Sequence, residues 1–140
     1  MSKISEKNRN IMEKAIYLPM LLTIFKRDLI VIQKSPFKLK QPYLQLIEET
    51  MNFIQAELAD VKHYMDTNNL KVQEVKRDEA FTMFLFLQNE NKEKHNYFNP
   101  RIRNKVQELM EFYLFERHSL NKFNQLGFSD AKSMQVQKLP

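Results

Sequence analysis

The apolar positions of this chain fall into stripes. Ile11, Ala15, Leu18, Leu22, Phe25, Leu29 and Ile32 alternate steps of four and three, the spacing that lines up one face of an α-helix. Ser5 is placed to cap that helix and Pro36 to stop it. Pro19 falls inside the pattern but off the stripe. An interior proline costs about 3 kcal/mol and kinks or breaks a helix, so either a kink near Tyr17 or two consecutive helices is expected. A second stripe runs Leu44, Ile47, Met51, Ile54, Leu58, Val61 and Met65, with Pro42 suited to a first helical position. Its outer face is expected to be acidic, through Glu48, Glu49, Glu57 and Asp60. The third begins at Asn99-Pro100, a cap followed by a first-position proline, and carries Ile102, Val106, Leu109 and Tyr113.

Between the second and third stripes the pattern has two readings. Ala80–Gln88, AFTMFLFLQ, is the most apolar run in the chain. As a helix it is buried on most sides; as strands, Leu70-Lys71-Val72 alternates, Lys76–Glu79 turns, and Phe81–Leu87 is a buried strand. Periodicity does not separate a short buried strand from a buried helix. The glycine count favours the helix: Gly127 is the only one, where average usage would supply roughly ten. Tight hairpins and left-handed helix ends both favour glycine. The expected fold is therefore mainly α, a small bundle of three long helices (5–34, 42–66, 99–121) with a buried fourth element at 71–89. The alternative is α+β with a hairpin at 70–88. Gln88–Tyr97 is expected to be a polar loop. At 140 residues one domain is expected, spanning 1–123, with 124–140 a flexible tail.

Composition narrows the chemistry. Eleven Phe and five Tyr supply large side chains to bury, against wholesale disorder. One glycine removes the phosphate-binding loop and the dinucleotide fingerprint. Without cysteine there are no disulfides or thiolate metal sites. No serine has the flanks of a nucleophile elbow. Asp60 and His63 have a metal-bundle spacing, but no second such pair exists and both lie beside the apolar stripe; a solvated surface is the expectation. Ala15–Ile32 is interrupted by Lys26, Arg27 and Asp28, so no membrane span is expected, and a soluble, cytoplasmic, non-catalytic protein without cofactors or a small-molecule substrate is the default.

The net charge of +5 is uneven. Residues 1–42 hold nine Lys/Arg against three acids, 43–69 one against five, 70–98 five against five, and 99–140 seven against four. Sixteen Lys and twelve Asn also fit an AT-rich genome, which inflates lysine without function. Arg101, Arg103 and Lys105 crowd the first turns of the third helix, where cations are mildly unfavourable but free N–H groups make an anion site. Arg101 and Lys105 share a face. Lys34, Lys38 and Lys40 form a second basic cluster around Phe37, and Lys7 and Lys14 line up on one helical face. Two functions are expected from this: an interaction or regulatory protein working through helical surfaces on a protein partner or a second copy of itself, and alternatively a nucleic-acid-associated protein gripping the phosphate backbone through these cations.

Overall fold

The computed structural model describes residues 3–119. Two long helices, α1 (Glu6–Gln33) and α2 (Gln41–Thr67), precede three strands, β1 (Leu70–Arg77), β2 (Phe81–Gln88) and β3 (Asn91–Phe98). A third helix, α3 (Asn99–Phe115), and a 3-10 turn, Arg117–Ser119, follow. The strands form one antiparallel sheet in the order β1-β2-β3. The architecture is α+β. The bundle expectation is overturned: its fourth element, 71–89, is two strands of a sheet. The hairpin alternative at 70–88 holds for that segment, and the expected polar loop 88–97 is a third strand.

Asparagine explains why so few glycines suffice. Asn69 (φ 56°), which ends the α2 connection, and Asn89 (φ 55°), in the β2–β3 turn, both occupy the left-handed region, which asparagine enters more readily than other residues with a side chain. The β1–β2 turn is closed by Asp78, whose Oδ1 accepts hydrogen bonds from the Ala80 and Phe81 N–H groups.

α1 is one continuous helix through Pro19, so the expectation of two consecutive helices fails. Pro19 is exposed, while Leu18 and Leu21 beside it are fully buried. Packing on both sides of the proline outweighs its lost hydrogen bond. Ser5 caps α1 as expected, accepting from the Asn8 N–H at 3.1 Å. Asn99 does not cap α3; it braces the hairpin, accepting from Thr82 Oγ1 at 2.7 Å and donating to the Asp78 and Glu79 carbonyls. α3 ends at Phe115 rather than near 121, and the expected tail, 124–140, lies outside the described residues.

The helices cover one face of the sheet. Tyr17, Leu21, Phe25, Ile54, Leu109 and Phe112 centre the core between the helices. Met12 and Ile16 of α1, with Ile4, pack on Leu70, Phe84 and Phe86 from the covered sheet face. Full burial of each such side chain contributes roughly 1.5–3 kcal/mol.

Candidate functional site

Side chains alternate across a pleated sheet, so Thr82, Phe84 and Phe86 turn inward and Met83, Leu85 and Leu87 turn outward. Those three outward residues are half-buried and join neither core cluster. The apolar run that should be covered on both sides is covered on one.

The register defines what surrounds it. Lys71, Leu87 and Lys92 form one row across the three strands; Gln73, Leu85 and Lys94 form the next; Lys76, Met83 and Asn96 the third. Lys71, Lys76, Lys92 and Lys94 are exposed, on strands that flank the apolar centre and lie about 10 Å apart. No acid occupies a paired strand position on this face. Glu74 and Glu93 pair with Phe84 and Phe86 and so belong to the opposite, covered face. At one end of the open face Phe81 and Phe98 stand with ring centroids 5.4 Å apart, 40% and 47% exposed.

Phe81, Asn96 and Phe98 also line a groove of about 520 Å³ between the edge of β3, α1 and the start of α3. Arg101 and Lys105 line it too, so the structure brings these two expected residues together, beside the open face. Its other wall holds Glu13, Tyr17 and Tyr97. The Tyr97 hydroxyl donates to Glu13 Oε2 at 2.9 Å. Burial pushes both tyrosine hydroxyls well above their ordinary pKa, and the Glu13 charge adds to it. Lys105 Nζ lies 3.9 Å from Glu108, three residues on along α3. Arg103 is exposed and does not line the groove.

Lys34, Lys38 and Lys40 sit elsewhere, at the end of the α1–α2 hairpin. Seventeen helical residues separate Tyr17 from Lys34, a rise of about 25 Å, so this cluster forms no single surface with Arg101. Lys14, expected on a solvated basic face with Lys7, is buried; its Nζ lies 3.0 Å from Glu57, expected on the outer acidic face of α2. Tyr113 of α3 donates to the same carboxylate at 2.7 Å, so one buried knot ties all three helices. Burial, then the Glu57 charge, raises the Tyr113 pKa well above the ordinary value.

The inner face of β3 anchors the N-terminus. Glu93 accepts from Arg9 Nε at 3.0 Å and from the Ile4 N–H, and lies 3.0 Å from His95 Nε2. The Arg9 hydrogen bond, helped by His95 and Ile4, holds the Glu93 carboxyl down to about 2 against the cost of burial. Asp60 and His63 are exposed on α2.

Lys71, Lys76, Lys92 and Lys94 were not singled out by sequence reasoning, because residues 70–98 sum to zero charge. The signal was present: lysines at alternating positions around an apolar strand sort onto one face once the segment is taken as a sheet.

The model of the family described as "YhjD protein" matches residues 3–118. A Bacillus subtilis (strain 168) protein, "Uncharacterized protein YhjD", is 44% identical over 115 residues, which cover 82% of this chain and 96% of that protein. No solved structure matches. The chain belongs to the YhjD family.

Proposed function

We propose that this chain is a non-catalytic, nucleic-acid-associated protein that holds single-stranded nucleic acid on the open face of its sheet. The observation that carries the reading is the sorting of charge across the pleat. Four exposed lysines border the half-buried apolar centre, and the strand acids of the same segment lie on the covered side. Cations tracking a backbone and exposed rings for bases to stack on are what sequence-tolerant single-strand binding requires. Lys71, Lys76, Lys92 and Lys94 supply the first, and Phe81 and Phe98 the second. Arg101 extends the basic track into the adjoining groove. This moves the contact surface from the expected helical cations to the sheet, keeping Arg101 and Lys105 at its end. A cytoplasmic location goes with this reading, as does a chain in which no described helix is long and apolar enough to cross a membrane.

Fluorescence anisotropy with labelled single-stranded DNA, RNA and duplex DNA, each titrated at two salt concentrations, tests it. Neutralising four phosphates on a single strand gives a slope of log K against log salt of about −2.8. Single strands should bind more tightly than duplex. No binding at low salt, or binding independent of salt, would overturn the proposal.

A further inference from the structure

Among the described residues, the α1–α2 hairpin reaches past the end of α3. Arg117, just past the end of α3, donates to Thr50 Oγ1 at 3.2 Å and lies 3.8 Å from Glu49. The turns of α2 before these residues, and the facing end of α1, therefore extend as a two-helix projection. Its tip is apolar and exposed: Leu39 is 75% exposed, Val31 58% and Phe37 51%, with Ile30 and Tyr43 beside them. Such a cluster on a projecting tip is more than scattered surface hydrophobicity.

The tip is also braced. Ser35 Oγ donates to the Ile32 carbonyl and accepts from the Phe37 N–H. Lys40 Nζ donates to the Gln33 carbonyl at 2.8 Å, satisfying the end of α1. The Phe37 and Tyr43 rings meet at 5.5 Å. A loop held this way presents Leu39 and Phe37 without first having to be ordered.

Charge selects the occupant. From residue 29 to residue 47 the chain has no Asp or Glu and carries Lys34, Lys38 and Lys40; Lys26 and Arg27 stand about two turns behind Lys34. We infer that this tip docks on an anionic lipid bilayer, with Leu39 and Phe37 entering the headgroup–acyl boundary and the lysines lying among the acidic headgroups. Apolar insertion combined with cation attraction is how peripheral segments hold to membranes. A bilayer accepts a convex tip without a matching pocket. A second copy docked tip to tip would set lysine against lysine, which is unfavourable. The inference does not depend on nucleic-acid binding, which uses the opposite end of the molecule.

The test is co-sedimentation of the full chain with vesicles of phosphatidylcholine alone and of phosphatidylcholine mixed with phosphatidylglycerol. Binding is expected only to the mixed vesicles, weakening as salt rises. Phe37→Ser with Leu39→Ser should lower it by roughly tenfold or more, and each of Lys34→Gln and Lys38→Gln by about fivefold. These side chains are exposed, and an unchanged melting temperature will show that the variants fold. Nucleic-acid affinity of the same variants should stay at the parent value, since the sheet is untouched. The inference is overturned by no binding to mixed vesicles, by equal binding to neutral ones, or by binding that survives the Phe37/Leu39 substitutions. A dimer in light scattering that these substitutions dissolve would also overturn it, assigning the tip to a second copy. So would salt-sensitive capture of an acidic protein by the tip in place of vesicles.

Discussion

Replacing Lys14 by Met should be among the most damaging single changes in the molecule. The Lys14 and Glu57 side chains are only 10% and 9% exposed, with Nζ and Oε2 3.0 Å apart, and Tyr113 donates to the second carboxylate oxygen at 2.7 Å. Removing the ammonium leaves a carboxylate among the three helices, away from water. Breaking a buried pair on one side costs about 3–5 kcal/mol, a large part of the roughly 5–15 kcal/mol that stabilises a folded domain. Restoring balance by also replacing Glu57 with Leu removes the stranded charge. What then remains is the Tyr113 hydroxyl without its acceptor, worth about 1–3 kcal/mol. The double variant should thus be more stable than Lys14→Met alone, and a double-mutant cycle should show strong coupling. Urea denaturation followed by far-UV circular dichroism measures all four proteins. If Lys14→Met costs less than about 1 kcal/mol, as for an exposed pair, or if the two changes simply add, the knot is not the buried tie described above.

Other predictions concern charge and pH. Glu93 is held near 2 in the folded chain; a lowered carboxylate stabilises above its unfolded pKa, and that stability is lost as pH falls from the ordinary carboxylate range toward 2. Acid titration by NMR should show the Ile4–Arg9 contacts loosening in that window, and Glu93→Gln should flatten the dependence. Tyr17, Tyr97 and Tyr113 all have raised values; stability they contribute is complete below about pH 10 and falls as pH rises beyond it, which thermal melts across that range will register. Tyr97→Phe should make the alkaline loss shallower. For the proposed function, Lys92→Gln with Lys94→Gln should reduce the salt slope by about 1.4, while Arg103→Gln, off the surface, should leave it unchanged.

The helices were legible because their apolar positions recur at steps of three and four, a spacing that persists in α1 across Pro19 although α1 packs on both the helices and the sheet. The sheet was obscured by two substitutions of one residue type for another. Asn69 and Asn89 adopt the positive φ that glycine usually provides, so the shortage of glycine argued against turns that asparagine could make. β3 hid for a different reason: its inward residues, Glu93, His95 and Tyr97, are polar and find partners in Arg9, Ile4 and Glu13, so no apolar alternation marks it. Long-range pairing of this kind leaves no local trace. The same is true of Lys14 and Glu57, each of which reads as a solvated charge until three helices close around both.

The lysine excess deserves a sharper criterion than its size. A drift toward AT-rich codons raises the number of lysines but does not choose their neighbours, so inflation alone would leave acids mixed among them on every exposed face. In β1 and β3 the pleat separates them: Lys71, Lys76, Lys92 and Lys94 stand outward, while Glu74 and Glu93 belong to the covered side. Inward placement is the costlier position for a carboxylate, and Glu93 is compensated there by Arg9 and the Ile4 N–H. Anchoring the N-terminus therefore accounts for where Glu93 sits, and it simultaneously keeps an acid off the open face. Glu74 is the more telling residue, because it lies in a partly open region near Arg77, 2.8 Å away, where the anchoring reason does not apply. If the outward lysines are codon drift, moving an acid onto their face by Gln73→Glu should be harmless to every property. If they form a binding surface, the same exposed change leaves stability intact and weakens nucleic-acid binding, because it sets a carboxylate between Lys71 and Lys76 and across Leu85 from Lys94.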